Sequence, residues 1–307
     1  MLGVTTTTTT PVTTKTWECI TCKKDGKTCK ANGWGWVEHT ENVTTPSTTV
    51  TPGEYQPITV RPEVVRHPQG GVMVLFGTGS YYRTADRIPN TNQAKINAFY
   101  GVWDRLDGTS DIRSEHLLAQ QIVKEQALGD FDIRVTTSNP IVWHKTGDKP
   151  EGTPPSTHLG WYLKLVHPIE GALGEIQVTE PRARGGRIIF TTMIPSDVVC
   201  DFGGEGWLME LNFLDGKQVS EVLFDLNGDG VFNLLDLAPI QREDGETVLI
   251  TPSGKKSKVG PIQEPAIIAA GTREYKFASG AKDAGVEVTT ENPVDLKGGR
   301  RSWLQVH

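Results

Sequence analysis

The chain has 307 residues and a formal net charge of −6, with 31 Lys+Arg against 37 Asp+Glu. No basic stripe is available to displace counterions from phosphate, which excludes nucleic acid as the main partner. The longest apolar runs, "GVMVLFG" and "IIFTTMI", are strand-sized and far too short for a helix across a bilayer.

The N-terminal stretch "MLGVTTTTTTPVTTKT" has neither a basic n-region nor an apolar h-region, so it reads as linker rather than as a signal peptide. The chain is then either cytosolic or a piece of a longer exported protein. Residues 1–16 and 40–52 are rich in Thr and Pro and poor in large apolar side chains, which predicts mobile or extended segments. Between them lies "WECITCKKDGKTCKANGWGWVEH". In it Asp25-Gly26 signals a two-residue hairpin turn that sets Cys22 opposite Cys29, leaving Cys19 and Cys200 to meet across the fold. The rival reading is a zinc knuckle of Cys19, Cys22, Cys29 and His39, but CxxC followed by an isolated Cys is an incomplete zinc pattern. An even count of four cysteines leans toward disulfides and an oxidising compartment.

The folded body is expected to begin near Tyr55, which divides the chain into residues 1–54 and 55–307. Its 33 glycines and 19 prolines in the chain, with few long amphipathic periods, point to an all-β fold of short strands and turns. One unit recurs: "RPEVVRHPQGGVMVLFGTG" from Arg61, "EPRARGGRIIFTTM" from Glu180 and "EPAIIAAGTREYKFASG" from Glu264. Each reads as a short strand, a Gly-containing turn and a buried apolar strand. Recurrence of one supersecondary unit is how propeller blades show themselves, and at about 40–50 residues per blade roughly four, some incomplete, fit the body. A helix is predicted over "SEHLLAQQIVKEQALG", with Leu117, Leu118, Ile122 and Val123 near helical spacing and Gly129 placed to end it; a strand over "QQIVKEQ" is the alternative.

The densest chemistry is in "FDLNGDGVFNLLDLAP". Asp225, Asn227, Asp229, Asn233 and Asp236 stand at positions 1, 3, 5, 9 and 12 of a twelve-residue window, with Gly230 at 6 and the Val231 carbonyl available at 7. These are the demands of a calcium loop: oxygen donors at 1, 3 and 5, a sharp turn at 6, a carbonyl at 7 and a carboxylate at 12. Asp236 is one methylene shorter than the usual Glu there. An Asx-rich turn accounts for Asn227 to Gly230, but not for oxygen donors at 1, 9 and 12 together. "SEVLF" before the loop reads as a strand, which favours a fixed structural or regulatory site over a helix–loop–helix sensor. A second set, Asp104, Asp107 and Asp111 in "WDRLDGTSD", fits no loop template and reads as a turn.

No HExxH, GxSxG, P-loop or dinucleotide fingerprint occurs, and no catalytic residue is assigned. "FGTG" and "DFGGEG" read as tight turns. Trp103, Trp143, Trp161, Trp207 and Trp303 read as blade core, against the alternative of a stacking platform for a sugar or quinone.

The blocks "QPITVRPEVVRHPQGGVMVLFGTGSYY", "YGVWDRLDG", "GWYLKL", "RGGRIIFTTMIPSDVVCDFGGEGWLMELN", "FDLNGDGVFN" and "RRSWLQV" resemble, in this order, the C-terminal domain of the PilC/PilY family of type IV pilus biogenesis factors and tip-associated adhesins. The resemblance covers about Tyr55 to His307. It implies a modified β-propeller with one EF-hand-like site, carried here by Asp225, Asn227, Asp229, the Val231 carbonyl and Asp236. It also implies Ca²⁺ as the bound ion, pilins or minor pilins and a host or abiotic surface as partners, and an exported location at the pilus tip, outer-membrane surface or periplasm. The implied role is regulation of pilus extension, retraction and surface attachment, with no catalysis. Family members are longer, with a signal peptide and a large N-terminal region, and their propeller begins earlier than the position matching Tyr55, so first blades are expected to be missing here. The alternative is a periplasmic propeller dehydrogenase of the quinoprotein type.

Overall fold

The structure, a computed structural model, describes residues 6–19, 34–47, 56–91, 96–108, 112–145, 156–198, 202–241 and 245–293. The chain divides into two compact units, Met1–Tyr55 and Gln56–His307.

In the first unit β1 (Thr6–Cys19) and β2 (Trp34–Ser47) pair antiparallel, from Thr6 opposite Ser47 to Cys19 opposite Trp34. The Thr-rich tracts are therefore extended and paired, as β-branched residues favour. The turn at Asp25-Gly26, Cys22, Cys29 and Cys200 lie outside the described residues, and so do the side chains of Cys19 and His39.

The second unit is all-β. Its strands are β3 (Glu63–Arg66), β4 (Val72–Gly77), β5 (Ala98–Asp104), β6 (Leu118–Gln120), β7 (Ile122–Leu128), β8 (Phe131–Thr136), β9 (Gly160–Lys164), β10 (Arg182–Arg184), β11 (Arg187–Pro195), β12 (Gly204–Asn212), β13 (Ala238–Gln241), β14 (Thr247–Ile250), β15 (Gly254–Lys256), β16 (Ala266–Ala270), β17 (Arg273–Ser279) and β18 (Val286–Glu291). They form sheets ordered β3-β4-β5-β9-β6, β10-β11-β12-β15-β8-β7 and β16-β17-β18, with β13-β14 as a separate ribbon. Each recurrent sequence unit is an antiparallel hairpin that opens one of the three larger sheets: β3–β4, β10–β11 and β16–β17.

The six-stranded sheet lies between two apolar cores. Ile188, Phe190, Trp207, Met209 and Leu211 pack with Met73, Leu75, Phe99, Trp103 and Trp161 of the five-stranded sheet. The alternate residues Ile189 and Leu208 join Leu223, Phe224, Leu226, Ala238, Ile262 and Ala278 on the other face. Burial on both faces explains why β11 reads as a continuous apolar run rather than an alternation. Trp103, Trp161 and Trp207 are core residues; Trp303 lies outside the described residues.

Two further readings need correction. The predicted helix is a short 3₁₀ turn, Ser114–His116, followed by strands β6 and β7. Gly129, at φ +59°, turns β7 back antiparallel onto β8 instead of capping a helix. A glycine in the left-handed region suits either role, and the available partner strand decides. Ile122 is buried while Val123 sits at a register shift and is exposed, so the two apolar neighbours never shared a helical face. Likewise "SEVLF" is not a strand: only Phe224 bridges, antiparallel to Glu291. "WDRLDGTSD" is a turn as expected, with the Leu106 amide donating to Asp104 Oδ1 at 2.9 Å and Arg105 paired to Asp107 at 3.0 Å; Asp111 lies outside the described residues.

Buried charge joins the six-stranded sheet to the three-stranded one. Arg187 of β11 reaches Glu210 of β12 at 2.9 Å, Glu274 of β17 at 3.3 Å and Glu291 of β18 at 3.5 Å. Lys276 of β17 contacts Glu210 at 2.5 Å and also pairs with Glu291. Burial pulls the Lys276 ammonium below the ordinary lysine range, with the nearby Glu210 carboxylate opposing the shift. Removing one partner of such a set leaves uncompensated charge in the interior. Lys276→Ala should therefore cost about 3–5 kcal/mol of unfolding free energy in urea titration; a loss within about 0.5 kcal/mol, the range of an ordinary surface substitution, would contradict the assigned role.

Candidate metal centre

The segment Asp225–Asp236 is held at both ends by the second apolar core. Leu223, Phe224 and Leu226 enter that core just before and within the loop, and Ala238 re-enters it after the loop. The Asp225 amide donates to Thr290 O at 3.1 Å and the Asn292 amide to Leu223 O at 2.9 Å, so residues 223–225 lie along the outer edge of β18. The polar residues between these anchors are thereby confined to a short excursion.

Within it the side-chain oxygens are ordered by the loop's own backbone. Asp225 accepts from the Gly228 amide at 2.8 Å through Oδ1 and from the Gly230 amide at 2.9 Å through Oδ2. Asn227 Oδ1 accepts from the Asp229 amide at 3.0 Å, and Asp229 Oδ1 from the Val231 amide at 2.7 Å. Asn233 caps a 3₁₀ turn, Leu234–Asp236: its Oδ1 accepts from the Leu235 amide at 2.8 Å while Asp236 Oδ2 accepts from the Asn233 amide at 3.1 Å. This reciprocal pairing is a capping box.

Asp236 is the closure of the loop. It is fully buried, and its Oδ1 accepts from the amides of Leu226 at 2.8 Å and Asn227 at 3.4 Å. One carboxylate therefore ties position 12 to positions 2, 3 and 9. Gly228 and Gly230 have φ of +75° and +73°. At Gly230 a Cβ would also lie 2.2 Å from Arg273 Nη2, which donates to the Gly230 carbonyl at 2.9 Å. Arg273, the first residue of β17, went unnoticed in the sequence. It lies 43 residues from its partner, and no spacing rule links a hairpin's first residue to a distant loop.

The donor set is all oxygen: three carboxylates, two side-chain amides and the Val231 carbonyl. Among the described residues no group of three or more His, Cys, Asp or Glu is gathered as a metal site. The loop's fit to a cation rests instead on its mixed set. An ionised carboxylate has about four acceptor positions; Asp225 spends two on the Gly228 and Gly230 amides, and Asp229 two on the Val231 amide and the Asn227 side-chain amide, which donates to Oδ2 at 2.9 Å. Hard oxygen donors in this order suit Ca²⁺ better than a softer metal.

Comparison with known proteins gives the class first. A family profile described as the PilY1 beta-propeller domain matches residues 35–134, beginning inside β2. The crystal structure of the Pseudomonas aeruginosa PilY1 C-terminal domain superposes with a TM-score of 0.61 at 23% identity, covering 78% of this chain and 46% of that one. The body is thus all-β and shares the fold of that PilY1 C-terminal domain. Among curated proteins, the type IV pilus biogenesis factor PilY1 of P. aeruginosa strain UCBPP-PA14 is 28% identical over 265 residues, 82% of this chain and 21% of that protein. PilY1 of strain PAO1 is 32% identical over 191 residues (58% and 16%), and a PilY1 homolog of Xylella fastidiosa 31% over 166 residues (53% and 10%). The chain is similar to these PilY1 proteins, in line with the resemblance of its sequence blocks, and spans about a fifth or less of their length.

Asp236→Ala strips the acceptor from three amides, two of them on residues the loop needs in place. Measured in EDTA, it should destabilise the body by about 2–4 kcal/mol, and Asp236→Asn by less because one oxygen remains. Equal stability of wild type and Asp236→Ala would show that the carboxylate does not close the loop.

Proposed function

We propose that Asp225–Asp236 is a calcium loop and that this chain is the calcium-responsive part of a type IV pilus biogenesis factor. The observation that carries the reading is the arrangement around Asp236. A buried carboxylate gathers positions 2, 3 and 9, so that the oxygens at 1, 3, 5, 7 and 12 belong to one closed turn. Asp225, Asn227, Asp229, the Val231 carbonyl and Asp236 would hold the ion, with Asn233 acting directly or through water. Bound calcium supplies the positive charge that three neighbouring carboxylates otherwise lack.

The protein's own contribution is to keep these oxygens on a platform that does not yield. The strands beside the loop are bonded to one another and anchored in the core, so response to the ion is confined to the loop's exposed face, which includes Val231, Leu234 and Leu235. A local change of that kind presents or withdraws a surface for another pilus component, a pilin or minor pilin. Extension against retraction, and attachment to a host or abiotic surface, would be controlled there. The relatives' names support a place in pilus biogenesis. A propeller dehydrogenase is disfavoured, because Trp103, Trp161 and Trp207 are spent in the core and cannot stack on a quinone.

Calorimetric titration of calcium into the purified chain should show one site, weakened in Asp225→Ala/Asp229→Ala to beyond about 10⁻³ M, the weak end of such loops. Unchanged affinity in the double variant would overturn the ligand assignment. In cells carrying the same pair of substitutions in the full-length protein, surface pilus counts should differ from wild type. Equal piliation and attachment, with calcium binding lost, would leave a calcium site but no regulatory role.

A further inference from the structure

At one end of the six-stranded sheet, where β11 turns into β12, two cavities adjoin. The first, of about 390 Å³, is lined by residues including Tyr81, Tyr82, Phe202, Gln263 and Ser279, and among the described residues no Asp, Glu, Lys or Arg lines it. The second, of about 470 Å³, holds Lys256, Lys258 and Lys282 with Glu205 as its acidic residue. Phe202 lines both, and the chain passes from one to the other at Ala281–Lys282. Each volume lies in the range of small-ligand sites, about 300–1,000 Å³.

The rim is held in unusual backbone. Among the described residues three non-glycine positions have φ in the left-handed region, and two are here: Phe202 at +52° and Asp283, next to Lys282, at +56°. A side-chain-bearing residue adopts that conformation only at a cost, and such outliers concentrate where a ligand is gripped. Phe202 is 44% exposed at the junction, with Tyr82 exposed nearby in the first cavity. Gly204, at φ +122°, makes the close approach possible, since a Cβ there would meet the Ile194 carbonyl at 1.9 Å.

We propose that this double cleft binds an acidic saccharide, its sugar rings against Tyr82 and Phe202 and a carboxylate toward Lys282. Among its described residues the first cavity offers aromatic faces, a side-chain amide and hydroxyls, which complement the apolar C–H face and neutral hydroxyls of a pyranose. The second adds positive charge. Lys256 is engaged by Glu205 at 2.8 Å and the Lys258 ammonium rests over the Phe131 ring at 3.9 Å, whereas Lys282 has no acidic partner among the described residues. A peptide strand is the poorer fit. β10 covers only Arg187–Ile189 of β11 and β15 only Trp207–Met209 of β12, but at the cleft Ile176 bridges Met193 and the Ser257 amide donates to the Gly206 carbonyl, which leaves little backbone edge for strand addition. The cleft shares no residue with Asp225–Asp236, so the proposal stands apart from the calcium reading.

The test is calorimetry on the full 307-residue chain with three probes: hyaluronan hexasaccharide, which carries carboxylates, neutral chitohexaose, and hexaglutamate. Hyaluronan hexasaccharide should bind more tightly than chitohexaose, and Lys282→Ala should weaken it about two- to fivefold, the value of an exposed charge contact, bringing it toward the neutral sugar. Tyr82→Ala and Phe202→Ala should each weaken both sugars, by about tenfold for a lost aromatic contact. Tyr82 and Lys282 are exposed, so their variants should melt as wild type does and report on binding alone. Affinities should be the same in EDTA and in Asp225→Ala. Dissociation constants weaker than about 10 mM for both sugars, full affinity in Tyr82→Ala, or tighter binding of hexaglutamate than of either sugar would each overturn the proposal.

Discussion

The buried contact of Arg187 and Lys276 with Glu210, Glu274 and Glu291 fixes how the three-stranded sheet meets the six-stranded one. Two cations face three carboxylates, and Arg184, 2.5 Å from Glu274 and partly exposed, brings the third positive charge. Apolar packing alone tolerates sliding, because hydrophobic contact has no direction. Charges without water do not, since a shift of one residue would bring like groups together or leave one alone. The register of β17 and β18 against β11 and β12 is therefore set by this cluster, and everything carried on β17 and β18 inherits it.

The loop is carried there. Glu291 gives its carboxylate to the cluster and its backbone to the bridge with Phe224, immediately before Asp225. Arg273, at the start of β17 beside Glu274, fixes the Gly230 carbonyl. Two points of the loop, positions 0 and 6, are thus tied to the sheet that the buried charges hold, while Asp236 closes the remainder from within. A loop so mounted can change charge state without disturbing the body, which is what a local response to an ion requires.

Much of this was legible in the sequence because it depends on local pattern. The three hairpin units announce β3–β4, β10–β11 and β16–β17 through apolar runs beside glycine turns, and the Asx-rich beat of Asp225–Asp236 supplies the carboxylates to which the loop's own amides donate. What was not legible depends on partners distant in sequence. Leu117–Val123 carries apolar residues at a spacing that suits a helix, and only β8 and β9, supplied later in the chain, make it two strands. Arg273 and Lys276 look like ordinary polar positions of an alternating strand. That one grips a loop and the other lies fully buried among carboxylates follows from sheet docking, which no local pattern encodes.

If Asp225–Asp236 binds calcium as proposed, the ion should order the loop and leave the body beneath it unmoved. Amide hydrogen exchange of the chain with calcium and with EDTA tests this most directly. Calcium should slow exchange at the amides of Leu226 to Asp236, and leave β11, β12, β17 and β18 unchanged. Equal exchange in the loop with and without calcium, or a change spread through those strands, would contradict the account.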